Sequence, residues 1–469
     1  MNLKYLSLFL ILFISGCSNH IDKTEINLNS EINSFLEKNI SNDSSGSIFI
    51  QILNNSNYEL GEKIIETKDR KLLVISNVGK NENSNINLIK FNNEGNELWR
   101  KEIVGSKQDS VKDIIELNNG DFILAGNSKS FIGENPNYDN NIILIKFNKD
   151  GDELWAKIIH LGYDYISGIV KLDNDDFIIS GNSKIGKDNY LIVTKFNTEG
   201  KKKWFKTFKM NGDKSKSTAL TILNDNSLIL LGDIYNKNYS DDYNSFLVKF
   251  SEGGVVEWTK IIDFDSNALT SDISGTKDGG FIFTGVNEKS EITKGDIFVV
   301  KFTQSGDLDW NKKIDFKFND IVSKIIELKK GGYILSGRSY DYTGLSYEDL
   351  VLIKVSEEGI IDWFKIMNNT GNGDLRNVKE LNNSELIFIG DTNAYGGYNR
   401  SIILINLDNN GNCDDCDYIK PIKISPKNED LIIFDYFLEE SSLEEDQYFI
   451  NISEVSINIS NKSFFLIND

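Results

Sequence analysis

The stretch Asn141-Ile142-Ile143-Leu144-Ile145-Lys146-Phe147-Asn148-Lys149-Asp150-Gly151-Asp152-Glu153-Leu154-Trp155-Ala156-Lys157 decides how this chain folds. An apolar run with one Lys near its end is followed by a turn of Asn, Lys, Asp and Gly. A second run then brings Trp and Lys two residues apart, on one face of a strand. The pattern recurs. Trp stands at 99, 155, 204, 258, 310 and 363, always with Gly four residues before it, Lys two residues after it and Lys nine residues before it. A degenerate seventh copy runs Ile403-Leu404-Ile405-Asn406-Leu407 to Gly411 and lacks the Lys and the Trp. A second signature shares the period. Gly120-Asp121-Phe122 to Gly126 returns as Asp176-Phe177 to Gly181, Gly280-Phe281 to Gly285 and Gly332-Tyr333 to Gly337, with looser copies ending at Gly232 and Gly390.

Each unit, about 50 residues long, carries four short β-patterned runs separated by turn residues. In the second unit these are Val111–Leu117, Phe122–Gly126, Ile142–Phe147 and Leu154–Ile159. The second and third runs are almost continuously apolar, so both faces of their sheet must be covered. A blade held between two neighbouring blades meets that requirement. The fourth run, with its Lys, suits an outer edge that must resist pairing with other chains. The reading is an all-β, seven-bladed β-propeller of four-stranded blades over residues 47–424, with the six Trp packing each blade against the next. Ser47 to Leu53 is the preferred strand for closing the ring, and residues 417–424 are the alternative. Residues 425–469 lack the repeat and read as a small β-rich C-terminal appendage.

Composition narrows the function. Among 469 residues, 71 Asp and Glu oppose 51 Lys and Arg, a net charge of −20 that disfavours contact with nucleic acid. Only 2 His and 3 Cys are present, little for a zinc site or for His-based catalysis. On that ground no catalytic residues, no metal site and no resident cofactor are expected, and the chain is not expected to be an enzyme. The pair Cys413 and Cys416 reads as a small disulfide loop closing the last repeat, the alternative being a redox or zinc motif.

The N-terminus carries an address. Lys4 precedes an apolar run from Leu6 to Ile14, too short to span a hydrocarbon core as a helix. Its end, Ile14-Ser15-Gly16-Cys17, resembles a bacterial lipobox. The resemblance implies a signal peptide over 1–16, cleavage before Cys17 and a lipidated (diacylglycerol, palmitate-bearing) Cys17. Residues 17–46 read as a flexible tether. The chain is expected to be exported and anchored in the cell envelope, with the outer membrane favoured because Ser18, not Asp, follows the Cys. The repeat itself resembles the blade repeat of exported bacterial propeller lipoproteins, related in style to tryptophan-docked quinoprotein repeats. Quinoproteins usually place Thr before the Gly, whereas Asn92-Asn93-Glu94-Gly95 is a residue shorter and has none, which speaks against pyrroloquinoline quinone.

The two faces of the ring differ in sequence. Connections within the first and last strand pairs are short and uniform. Connections between second and third strands, and from blade to blade, are long and rich in Tyr and Asp. They place Tyr138 and Asp139, Tyr163, Asp164 and Tyr165, Tyr239, Asp241, Asp242 and Tyr243, Tyr340, Asp341 and Tyr342, and Tyr398 on one candidate ligand-binding face. The acids there also offer oxygen ligands for Ca²⁺, although none follows the EF-hand pattern. The leading expectation is a lipid-anchored, non-catalytic binding module for a glycan, peptide or protein. The alternatives are a structural subunit of an outer-membrane assembly machine and a quinoprotein-like or polysaccharide-cleaving propeller enzyme.

Overall fold

A computed structural model of the chain describes residues 50–53, 58–79, 84–92, 95–130, 140–209, 214–235, 242–264, 266–288, 295–315, 319–340, 348–367, 372–393, 400–412, 419–421, 431–435, 439–440, 451–454 and 458–461. Every regular element among them is a strand. The first, β1, is Ile50–Leu53. Blade 1 is β2 (Glu59–Glu66), β3 (Leu72–Val78), β4 (Asn85–Phe91) and β5 (Glu97–Val104). Blade 2 is β6 (Asp109–Glu116), β7 (Phe122–Ser128), β8 (Asn141–Phe147) and β9 (Glu153–His160). Blade 3 is β10 (Tyr163–Lys171), β11 (Phe177–Ile185), β12 (Asp188–Phe196) and β13 (Lys202–Lys209). Blade 4 is β14 (Lys214–Ile222), β15 (Leu228–Tyr235), β16 (Tyr243–Phe250) and β17 (Val256–Asp263). Blade 5 is β18 (Asn267–Gly275), β19 (Phe281–Glu288), β20 (Asp296–Phe302) and β21 (Leu308–Ile314). Blade 6 is β22 (Asn319–Glu327), β23 (Tyr333–Tyr340), β24 (Glu348–Val355) and β25 (Ile361–Met367). Blade 7 is β26 (Gly373–Glu380), β27 (Leu386–Thr392) and β28 (Ser401–Leu407), completed by β1, which pairs antiparallel with β28 from Ile50 against Ile405 to Leu53 against Ile402. The chain is therefore a seven-bladed β-propeller.

Its interior is divided among the seven joints between blades. One cluster joins blades 1 and 2 through Leu73, Ile86, Phe122 and Ile145; another joins blades 4 and 5 through Leu231, Leu247, Phe283 and Phe298. Six joints each bury part of one repeat Trp, and the seventh, between blades 7 and 1, has Leu53 of the closing strand instead. This explains why the seventh unit loses its Trp: its outer strand is borrowed from the other end of the chain. Each indole lies on the turn Gly of the next blade. A Cβ added at Gly306, for example, would stand 2.7 Å from Trp258 Cζ2, and Gly151, Gly200, Gly254, Gly359 and Gly411 are covered in the same way. Trp310 Nε1 donates to the Glu357 carbonyl at 2.8 Å, and Trp155 Nε1 to that of Thr198 at 3.2 Å. The Lys two residues on lies over the ring in several blades, as Lys157 does over Trp155 at 5.5 Å.

The Lys nine residues before each Trp has a structural task that the sequence alone did not disclose. Lys90, Lys195, Lys249 and Lys301 are buried in third strands, and each meets an Asp from the neighbouring turn: Asp69 at 3.2 Å, Asp176 at 3.4 Å, Asp225 at 4.0 Å and Asp278 at 2.7 Å. Where blade 7 has Asn406, its amide donates to Glu385 at 2.6 Å. A third recurrent device links the blades near the axis. Each inner strand bulges near its middle, and the amide N–H of Val111, Ile166 and Ser217, just before the bulge, donates to Asn77, Asn127 and Asn182 of the preceding blade at 2.9, 2.9 and 2.7 Å.

The C-terminal segment from residue 419 onward is β-rich, as expected of the appendage, and is laid along the ring rather than forming an eighth blade. Its strands β29 (Ile419–Pro421), β30 (Ile432–Asp435), β31 (Glu439–Glu440), β32 (Asn451–Glu454) and β33 (Asn458–Asn461) add antiparallel fifth strands to the outer edges of blades 6, 4, 3, 2 and 1 in turn. The physical reason is the open ladder of N–H and C=O groups along each outermost strand, which the tail satisfies one short segment at a time. Residues 48–463 accordingly form one compact unit.

Candidate ligand-binding cleft

The face that carries the 2–3 hairpins and the blade-to-blade connections opens into a cleft of about 860 Å³ above blades 2, 3 and 4. Three inner strands shape it. β6 contributes Lys112 at its bulge, β10 contributes Tyr163, Tyr165 and Ser167, and β14 contributes Lys216, Ser217 and Thr218. The β11–β12 hairpin adds Asn182, Lys184 and Asn189 along one side.

Alternation along β10 sets the chemistry. Tyr163 and Tyr165 point the same way into the cleft, their rings edge to face with centroids 5.2 Å apart, and Tyr165 is 45% exposed. Burial and then the neighbouring Tyr163 hydroxyl push the Tyr165 phenol up to about 12, so it is a neutral donor and acceptor at ordinary pH. Asp164 points the other way. It is fully buried and accepts from the Leu161 and Gly162 amides at 2.8 and 3.2 Å. Burial raises its carboxyl to about 6 despite these donors. Asp164 is therefore a structural brace at the entry to the inner strand, and its assignment to the ligand-binding face is corrected.

The floor is a hydroxyl network. Ser167 and Ser180 lie 2.7 Å apart, Ser217 Oγ donates to Ser167 Oγ at 2.9 Å, and the Thr218 and Thr270 hydroxyls lie 2.9 Å apart. Asn182 both accepts from the Ser217 amide and donates to the Ser217 carbonyl, which fixes the side chain of Asn182 against β14. Ile166 is the single aliphatic residue of the lining.

The other candidates disperse. Tyr243 begins β16 half-buried, with its ring on Tyr235 at 5.3 Å, and does not line the cleft; Asp242 precedes it. Tyr340 ends β23 at blade 6, where the Arg338 guanidinium lies 5.5 Å over its ring. Around it the charges are matched. Arg376 donates to Asp391 at 2.9 Å, Arg400 contacts Asp391 at 2.5 Å and Glu348 at 3.4 Å, and Arg338 stands 3.5 Å from Asp374. Tyr138, Asp139, Tyr239, Asp241, Asp341, Tyr342, Tyr398, Cys17, Cys413 and Cys416 lie outside the described residues. Among the described residues, no three His, Cys, Asp or Glu side chains gather as a metal site would require. Sequence reading missed Lys112, Lys184, Lys216 and the Ser and Thr floor. The inner-strand bulge carries Ser167 and Thr218 in blades 3 and 4, but Ser271 and Ser323 hold the same position in blades 5 and 6, so the sequence alone does not mark the floor.

No family model matches this chain, and no curated protein does. Solved structures do. The polysaccharide lyase Uly1 aligns with a TM-score of 0.44 at 9% identity, covering 74% of this chain and 90% of the lyase. A Synechocystis apocarotenoid oxygenase aligns with a TM-score of 0.41 at 10% identity, covering 86% and 99%. The β-1,2-mannobiose phosphorylase of Listeria innocua aligns with a TM-score of 0.28 at 7% identity, covering 66% and 91%. Enzymes thus stand among the structures this chain resembles, and the expectation that it is not an enzyme is corrected on that finding. At such identities the likeness carries no particular reaction to this chain.

Proposed function

We propose that this propeller is exported, anchored through a lipid on Cys17 to the envelope and, because Ser18 follows that Cys, to the outer membrane, and that it binds a glycan segment in the cleft above blades 2–4. The observation that carries the reading is the lining. Two edge-to-face Tyr rings, a floor of linked Ser and Thr hydroxyls, and amide and ammonium donors surround a space of about 860 Å³ with one aliphatic residue. Sugars present C–H faces that stack on aromatic rings, and hydroxyls that match such donors and acceptors. The lining has one aliphatic side chain, so a partner held by aliphatic anchors finds little to pack against. The anchoring half rests on Ile14-Ser15-Gly16-Cys17 and the short apolar run before it.

Calorimetric titration with a panel of oligosaccharides tests the binding half. Binding is expected to weaken by roughly tenfold or more in Tyr165→Ala, since stacking on one ring contributes about 1–2 kcal/mol. Unchanged affinity in Tyr165→Ala would remove the cleft as the site. Metabolic labelling with a palmitate analogue tests the anchoring half: label is expected on the parent chain and absent from Cys17→Ala.

A further inference from the structure

We infer that the glycan this cleft accepts is an acidic one, whose carboxylates or sulfates are met by Lys112 and Lys184; the inference rests on the glycan reading above and names its substrate class. In a chain of net charge −20, the cleft lining holds three ammonium groups, Lys112, Lys184 and Lys216, and no carboxylate. Lys216 is 3.4 Å from Asp233, whose other oxygen accepts from the Thr270 amide and hydroxyl at 2.7 Å each. Lys184 stands exposed on its hairpin with no carboxylate partner among the described residues.

Lys112 is the more telling of the two. It projects from the bulge between Val111 and Asp113 into the axial channel, where Glu62, Asp113, Asp272 and Lys324 are its charged neighbours. Each of those acids already has another cation. Asp113 meets Lys63 at 2.8 Å, Asp272 meets Lys324 at 2.8 Å, and Glu62 is 3.8 Å from Arg376. Lys112 itself makes no ion pair within 4 Å among the described residues. Its side chain is exposed to solvent, so the ammonium is open to an incoming anion. At blades 6 and 7, by contrast, every Arg near the same face is matched by a buried acid. The positive charge is thus confined to the part of the ring where the Tyr pair and the hydroxyl floor also lie. Neutral sugars need none of it.

The test is titration of the full chain with galacturonate oligomers, with neutral galactose oligomers of equal length, and with oligoglutamate. Galacturonate is expected to bind. Its affinity is expected to fall roughly tenfold in Lys112→Gln and in Lys184→Gln, to be retained in Lys112→Arg, and to fall as salt is raised. Melting curves of the variants identify any loss that is merely unfolding, and exposed Lys184 supplies the second, independent position. Equal binding of neutral and acidic sugars, or full affinity in both Lys variants, overturns the acidic assignment and leaves the glycan reading intact. Binding of oligoglutamate with none of either sugar overturns the glycan reading together with it.

Discussion

Replacing Gly306 with Ala separates the cost of a left-handed backbone from the cost of undocking a tryptophan. Gly306 has φ +86°, and an added Cβ would sit 2.7 Å from Trp258 Cζ2 and 2.9 Å from Cε2. Gly186, in the β11–β12 hairpin, has φ +63° but no neighbouring atom within 4 Å of such a Cβ. Both substitutions carry the left-handed penalty for a non-glycine residue, about 1–2 kcal/mol. Gly306→Ala must also push the indole back by nearly an ångström, which in a packed joint costs about another 1–3 kcal/mol. Gly186→Ala is therefore expected to lose about 1 kcal/mol and Gly306→Ala about 3 kcal/mol. Urea denaturation followed by Trp fluorescence and far-ultraviolet circular dichroism measures both. In a Trp258→Leu background the Gly306→Ala penalty is expected to shrink by about 1–2 kcal/mol, because the clashing ring is gone. Equal losses at Gly186 and Gly306, or a Gly306 penalty that ignores Trp258→Leu, would refute indole-on-glycine docking as the source of joint stability.

Three further outcomes follow from other parts of the ring. Asp164 has a folded-state pKa of about 6, above its ordinary 3.8, so its ionisation opposes folding: the native state holds the proton longer, and stability falls as pH rises from about 4 to 6, by up to about 3 kcal/mol. Asp164→Asn is expected to flatten that part of the stability–pH curve relative to the parent, as denaturation at stepped pH will record. Lys301 is almost wholly buried and Asp278 is more than half exposed, so Asp278→Ala strands a buried cation and is expected to lose about 1–2 kcal/mol, whereas Lys301→Met removes the charge and is expected to lose less. Thermal melts of the two variants give the order. Deleting residues 425–469 takes the fifth strand from blades 1–4, and hydrogen exchange is expected to accelerate along β5, β9, β13 and β17 while β3, β7, β11 and β15 keep their protection.

The propeller was legible because its decisive contacts are periodic. A Trp that must meet the Gly of the next blade fixes both residues in every unit, and the spacing can be read from the chain alone. The cleft is not periodic. Lys112, Tyr165, Lys184 and Ser217 come from three blades, and they meet because those blades are adjacent, with no spacing to announce it. Asp164 was misplaced because Tyr163-Asp164-Tyr165 was read as a loop. Read as a strand, alternation alone would have turned the acid inward and the two rings outward. The tail strands escaped for a different reason: runs of two to four residues bind by backbone pairing to edges already built, so their side chains need carry no signature.

The returning tail also changes how the ring is tied together. The chain runs forward from blade 1 to blade 7, steps back to blade 6, and then passes blades 4, 3, 2 and 1 in reverse. Joints 1–2, 2–3, 3–4 and 6–7 are thus spanned by the backbone twice, in opposite directions. A single nick in one of their connectors leaves two pieces that remain threaded to one another. The joint between blades 7 and 1 is spanned once, by the link from β1 to β2, and it is also the joint without a docked Trp. A cut in that link would leave blades 7 and 1 held together by strand pairing and packing alone, whereas a cut in a connector of joints 1–2, 2–3, 3–4 or 6–7 leaves a second covalent span.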